Sequence, residues 1–172
     1  MTHQKIIVLM GSKSDLTFAH KVGEFLKQEN INVNCEFVVA SAHRTPDMLL
    51  QKLEEYEKSS DNIVFITVAG LSDALSGVVA GFTARPVIAC PPDIEKYGPL
   101  KAFSSVMMPT GVPVMLVSKP ENAALAAVKI LAIGNPSLNH EIVKYIQKKR
   151  NEIAKANTEV ATGAKKGRKA ET

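Results

Sequence analysis

The feature that most constrains this chain is a repeated alternation. Short, unbroken apolar runs, each halted by glycine or a small polar residue, alternate with stretches whose apolar residues fall at helical spacing. Ile6 to Met10 is the first run and stops at Gly11-Ser12. Leu16, Ala19, Val22 and Leu26 follow at helical intervals. Val33 to Val39 is a second strand candidate. Ile63 to Val68 is a third, ended by Gly70, Pro86 to Ala89 a fourth and Val112 to Val117 a fifth. Continuously apolar runs suit strands buried on both faces, as in a parallel sheet covered by helices. The pattern therefore predicts an α/β fold, with three α/β/α layers around a central parallel sheet. Right-handed crossovers gather the loops that follow each strand at one sheet edge, where ligands bind in open α/β folds.

The helices have readable signals of their own. Thr45-Pro46 opens one, with Thr45 as N-cap and Pro46 at the first helical position. Leu49, Leu53 and Tyr56 give that helix an apolar face. Ala123 to Ile133 is apolar nearly all round, interrupted only by Lys129, so it needs burial on every side and suggests a subunit interface. Asn139 to Ile153 is amphipathic, with Ile142, Tyr145, Ile146 and Ile153 on one side. Residues 1–156 are expected to form one domain, and residues 157–172 a disordered basic tail.

Composition narrows the function classes. The formal net charge is +4, and Lys165, Lys166, Arg168 and Lys169 against Glu171 contribute +3 of it. The remainder is nearly neutral, which argues against nucleic acid as a partner of the folded part. No apolar run approaches the roughly 20 residues of a membrane span. The opening residues carry no export leader, and Cys35 and Cys90 form no disulfide framework. A reducing, cytoplasmic setting is therefore expected. No histidine pair has metal-ligand spacing, so no metal or other cofactor is expected.

Three loops at the expected ligand edge carry candidate chemistry. Gly11-Ser12-Lys13-Ser14-Asp15 follows the first strand. There, backbone N–H groups at a helix N-terminus, with the Ser12 and Ser14 hydroxyls, suit a phosphate, while Asp15 can accept from ribose hydroxyls. The same residues also suit a helix start capped by Ser14 or Asp15. Ser41-Ala42-His43-Arg44 follows the second strand and pairs a titratable imidazole with a guanidinium able to grip phosphate. The other reading is a loop whose charges are merely solvated. Ala69-Gly70-Leu71-Ser72-Asp73-Ala74-Leu75-Ser76-Gly77 follows the third strand. Its small residues allow either close approach to a ligand or tight strand–helix packing. Cys90 has no activating neighbour and reads as a small buried hydrophobe.

Together these blocks are specific. Met10-Gly11-Ser12-Lys13-Ser14-Asp15, Ser41-Ala42-His43-Arg44-Thr45-Pro46 and Met108-Pro109-Thr110-Gly111-Val112-Pro113 resemble the aminoimidazole ribonucleotide carboxylase and mutase family, over about residues 5 to 155. The resemblance implies a flavodoxin-like fold, a role in purine biosynthesis and a homo-oligomer, usually an octamer. It implies aminoimidazole ribonucleotide and carbon dioxide as substrates. The mutase branch, which moves a carboxyl group from the exocyclic nitrogen to a ring carbon, typically carries His-Leu-Pro-Gly after the third strand. The block here is closer to the Ala-Gly-Arg-Ser-Asn of the direct carboxylase branch, with Leu71 and Asp73 in place of its arginine and asparagine. The main expectation is therefore a carboxylase. The alternatives are the mutase and a non-catalytic nucleotide-binding module. The resemblance further implies phosphate near Ser12, Ser41 and Arg44, ribose near Asp15, and His43 beside the reacting carbon. Main-chain donors of Gly70 to Ser72, with Ser76, are expected to stabilise the new carboxylate. Gly11, Ser14, Ala42 and Ala69 complete the expected binding set.

Overall fold

The structure, a computed structural model, describes residues 3–168 of the 172, with side chains to residue 162. Five strands, β1 (Gln4–Met10), β2 (Asn34–Val39), β3 (Asn62–Val68), β4 (Val87–Ala89) and β5 (Met115–Leu116), form one sheet in the order β2-β1-β3-β4-β5. Every pairing is parallel. β1 lies between β2 and β3, with Ile6 opposite both Cys35 and Val64. The order reverses direction between β1 and β3, which opens a crevice above their carboxyl ends.

Among the described residues seven α-helices flank the sheet: α1 (Leu16–Gln28), α2 (Pro46–Glu57), α3 (Ala74–Phe82), α4 (Ile94–Tyr97), α5 (Pro99–Val106), α6 (Pro120–Leu131) and α7 (Pro136–Arg168). On one face Ile6, Val8, Met10, Val64, Ile66 and Val68 pack with Ala19, Val22 and Leu26 of α1, Ala124 and Val128 of α6, and Leu138 and Ile142 of α7. On the other, Ile7, Leu9 and Phe65 pack with Leu49 and Leu53 of α2 and Leu75 and Val79 of α3. Alternate residues of one strand thus feed two cores, which is why Ile6 to Met10 and Ile63 to Ile66 are apolar without a break. Each fully buried Ile or Leu side chain contributes about 1.5–3 kcal/mol.

Three expectations are corrected. α6 finds its burial within the chain, against α1, β1, β3 and α7; Ala123, Ala124, Ala127 and Val128 are fully enclosed there. Its apolar character therefore does not by itself call for a partner subunit. β5 is much shorter than Val112 to Val117, because Pro113 has no N–H to give a ladder. The backbone is helical through Arg168, where a structureless tail from residue 157 was expected. Ala, Glu and Lys there are good helix formers, and the Thr158 and Thr162 hydroxyls donate to carbonyls one turn back. Residues 157–162 are nevertheless all exposed, as is Ile153. The expectations for residues 169–172 lie outside the described residues. Among those described, no helix is long and apolar enough to cross a membrane.

Candidate active site

The loops after β1, β2, β3 and β4 meet at one sheet edge around an open cavity of about 590 Å³. Gly11, Ser12, Ser14, Asp15, Ser41, Ala42, His43, Arg44, Ala69, Gly70, Leu71 and Ser72 all line it. The first loop is tied to the end of β3, since the Gly11 N–H donates to the Val68 carbonyl at 3.0 Å. A single 3₁₀ turn, Lys13–Asp15, precedes α1. Its cap is Ser12, whose Oγ accepts from the Ser14 N–H at 3.3 Å and from the Ser14 hydroxyl at 3.0 Å. Neither Ser14 nor Asp15 caps α1 through its side chain, as the capped-start reading required. The Asp15 carboxyl faces the cavity instead and is nearly buried. Burial raises its pKa above the ordinary carboxylate range. The Ser12 backbone N–H offsets part of that rise, and the neighbouring Asp93 charge adds to it.

The second loop is a closed ring. The Thr45 N–H donates to the Ser41 carbonyl at 3.0 Å, the Ser41 N–H to the Thr45 hydroxyl at 3.1 Å, and the Arg44 N–H to the Ser41 hydroxyl at 3.2 Å. Thr45 does stand at the N-cap of α2, with Pro46 next, but its hydroxyl serves the ring and not the helix. This corrects its expected capping role. The ring displays His43 and Arg44 outward into the cavity, both exposed. Neither side chain has a hydrogen-bond partner among the described residues, so both remain available to a ligand.

The third loop approaches most closely. A Cβ at Gly70 would stand in van der Waals contact with Asp93 Oδ2 at 3.4 Å and Asp15 Oδ1 at 3.8 Å, which places this backbone between the two carboxylates. Leu71 has a left-handed backbone, φ 55°. Its N–H donates to Asp93 Oδ2 at 2.9 Å, and its carbonyl accepts from Lys101 Nζ at 2.8 Å. Asp73 turns inward to cap α3. It accepts from the Ser76 N–H at 3.0 Å and from the Ser76 and Ser105 hydroxyls at 2.7 Å each. Ser76 is therefore buried in a polar knot that also includes Thr67, and it does not line the cavity, contrary to expectation. Its N–H and hydroxyl are spent, and so is the Leu71 N–H. Of the donors expected for a carboxylate, Gly70 and Ser72 remain.

Leu75, Pro92, Asp93, Lys96 and Tyr97 also line the cavity, and sequence reasoning missed them. The available signal was position: Pro92, Asp93, Lys96 and Tyr97 follow β4 just as the recognised loops follow β1, β2 and β3, and Leu75 opens the helix after the third of those loops. The Met107–Gly111 segment is not part of the lining. Met108 instead packs on α3 against Gly77, where a side chain would collide with its sulfur. Cys90 is fully buried, and that burial, with the Glu121 charge, pushes its thiol up to about 12. It is a core residue, as read from the sequence.

The family model described as AIR carboxylase matches residues 5–152, which takes in every loop of this cavity. The chain belongs to the AIR carboxylase family. It is 44% identical over 156 residues to a phosphoribosylaminoimidazole carboxylase of Archaeoglobus fulgidus, covering 91% of this chain and 84% of that one. It is 41% identical over 157 residues to an N5-carboxyaminoimidazole ribonucleotide mutase of Methanocaldococcus jannaschii, covering 90% and 96%. The crystal structure of Treponema denticola PurE superimposes with a TM-score of 0.86 at 33% identity, covering 91% of this chain and 98% of that one. The five-stranded parallel sheet is thus the flavodoxin-like fold of this family of purine-biosynthesis enzymes.

Proposed function

We propose that this enzyme carboxylates aminoimidazole ribonucleotide with carbon dioxide, reversibly, at the cavity above β1 and β3. The observation that carries the reading is the convergence of His43 and Arg44 with the hydroxyl-rich turn at residues 11–15 in one cavity. Ser12, Ser14 and Ser41 with Arg44 hold the phosphate, since hydroxyl and guanidinium donors suit its oxygens. Asp15 accepts from the ribose hydroxyls. The aminoimidazole ring then lies over Ala69 and Gly70, where no bulky side chain intervenes.

The chemistry asks little more than placement. The substrate ring is electron-rich, so its carbon attacks carbon dioxide directly, forming a C–C bond while one C=O π pair moves to oxygen. The same ring carbon then loses its proton, restoring aromaticity and leaving a carboxylate. His43 takes that proton. Proximity accounts for up to about 7–11 kcal/mol in well-oriented cases, and a positioned base for roughly 10²–10⁴-fold. The new carboxylate falls to Ser72 and the backbone at Gly70.

The close relative named as a mutase favours a second reading, in which the carboxyl group arrives on the exocyclic nitrogen. One assay separates the two. Purified enzyme is given aminoimidazole ribonucleotide with bicarbonate, and separately the N-carboxylated nucleotide. Product from the first, with the second reacting only as fast as it releases carbon dioxide, is the expected result. The reverse pattern assigns the mutase. Tight nucleotide binding with no turnover of either identifies a non-catalytic module. In the same assay His43→Asn is expected to cut kcat by roughly 10²–10⁴-fold with KM retained.

The enzyme works as a homo-oligomer, in our reading an octamer. Apolar side chains exposed on α2, α3 and α5, among them Met48, Phe82, Leu100 and Phe103, support assembly. A cytoplasmic site of action is supported by the free thiols of Cys35 and Cys90.

A further inference from the structure

Lys101 is a buried cation that the mechanism above does not use. It is 2% exposed, although lysine is almost never buried without a purpose for its charge. Its ammonium donates to the Leu71 carbonyl, and the carboxylate of Asp93 accepts from the N–H of the same residue. One residue is thus held at both polar atoms by two charged side chains from separate elements, the β4–α4 loop and α5. That residue is also the one in this cavity with an unfavourable backbone, since a leucine at φ 55° places its Cβ against its own carbonyl. Its side chain forms a wall common to the main cavity and a smaller apolar recess beside it, lined by Tyr97, Leu100 and Lys101.

We propose that Lys101 and Asp93 are positioning residues: together they clamp Leu71 in its left-handed conformation and so keep the 69–72 turn in the shape that receives the nucleotide. The proposal rests on the carboxylase reading for its substrate, though the clamp itself does not. Without the clamp, Leu71 relaxes toward ordinary backbone angles and the binding-competent turn becomes a minor population. The apparent affinity then falls by that fraction, while saturating substrate restores the turn. The loss therefore appears in KM, with kcat little changed. Glycine at residue 71 pays no steric penalty for positive φ, so it makes the clamp unnecessary.

The test compares wild type, Lys101→Met, Lys101→Arg, Leu71→Gly and the double variant Lys101→Met/Leu71→Gly, with aminoimidazole ribonucleotide as substrate. Lys101→Met is expected to raise KM about tenfold, the factor carried by one charge-assisted hydrogen bond. Lys101→Arg retains a donor and stays close to wild type. The double variant recovers most of the lost KM. An unchanged KM in Lys101→Met overturns the proposal, and so does a double variant as impaired as the single, because a purely electrostatic role of the ammonium is blind to residue 71. Should Lys101→Met not fold, Asp93→Ala with and without Leu71→Gly asks the same question of the other arm. Hydrogen exchange at the Leu71 amide needs no substrate: it should be slow in wild type and faster in Lys101→Met, and fast exchange in wild type overturns the clamp. Slow exchange in a wild-type enzyme that does not turn over aminoimidazole ribonucleotide removes the carboxylase reading and leaves the clamp standing.

Discussion

Asp15 shows at the scale of one residue how function costs stability. Burial and the nearby Asp93 charge make its ionised form unfavourable in the fold, so the folded pKa is raised. Unfolded, the group titrates at the ordinary carboxylate value. Between those two values the folded state binds more protons, so stability falls as pH rises through that window and stays at the lower level above it. Asp15→Asn removes the titration. Thermal melts across pH should show the variant more stable than wild type at pH 7, with the two converging below the ordinary carboxylate range, while nucleotide binding weakens. A variant less stable than wild type at neutral pH would mean that the Ser12 hydrogen bond outweighs desolvation.

At the scale of the element, the sheet is the part the sequence announces most clearly. Ile6 to Met10 and Ile63 to Val68 are read correctly because burial on two faces selects apolar side chains, with Thr67 admitted only because Ser76 and the Ile88 carbonyl satisfy its hydroxyl. Leu53 of α2 lies fully enclosed between that helix and the sheet. Leu53→Ala is expected to cost about 2–5 kcal/mol, seen as a lower denaturation midpoint with an unchanged m-value. Elements shaped by tertiary contact are less legible. α4 and α5 are short, separated by Gly98 alone, and carry no periodicity long enough to read. The all-apolar α6 looks from sequence like a surface awaiting a partner. Only the fold reveals that α1, the sheet and α7 already enclose it. The loops follow the same division. His43 and Arg44 could be placed at the ligand edge because their loop follows a recognisable strand. Asp93 and Lys101 could not be placed, because their importance comes from where the chain returns to meet Leu71. Ser76 was misplaced because an inward-turned Asp73 claims it.

For the whole molecule, the remaining question is assembly. Leu100 and Met107 are each 77% exposed and Phe103 54%, a density of apolar surface on and beside α5 that a lone domain rarely carries. Sedimentation equilibrium is expected to return eight times the 18.6 kDa chain. Phe103→Glu should shift that mass downward and reduce turnover, because the same helix carries Lys101, which holds Leu71 at the cavity. A monomeric wild type with full activity would refute the octamer.

The sheet also separates two kinds of change. Each loop of the cavity is carried on its own strand, and the strands are locked to one another by ladders that no loop tip takes part in. The loop after β2, closed on itself through Ser41 and Thr45, can therefore be exchanged alone, whereas the tips after β3 and β4 are joined through Leu71 and Asp93 and change together on the same fixed chassis. A family built this way can alter what it accepts without relearning how to fold.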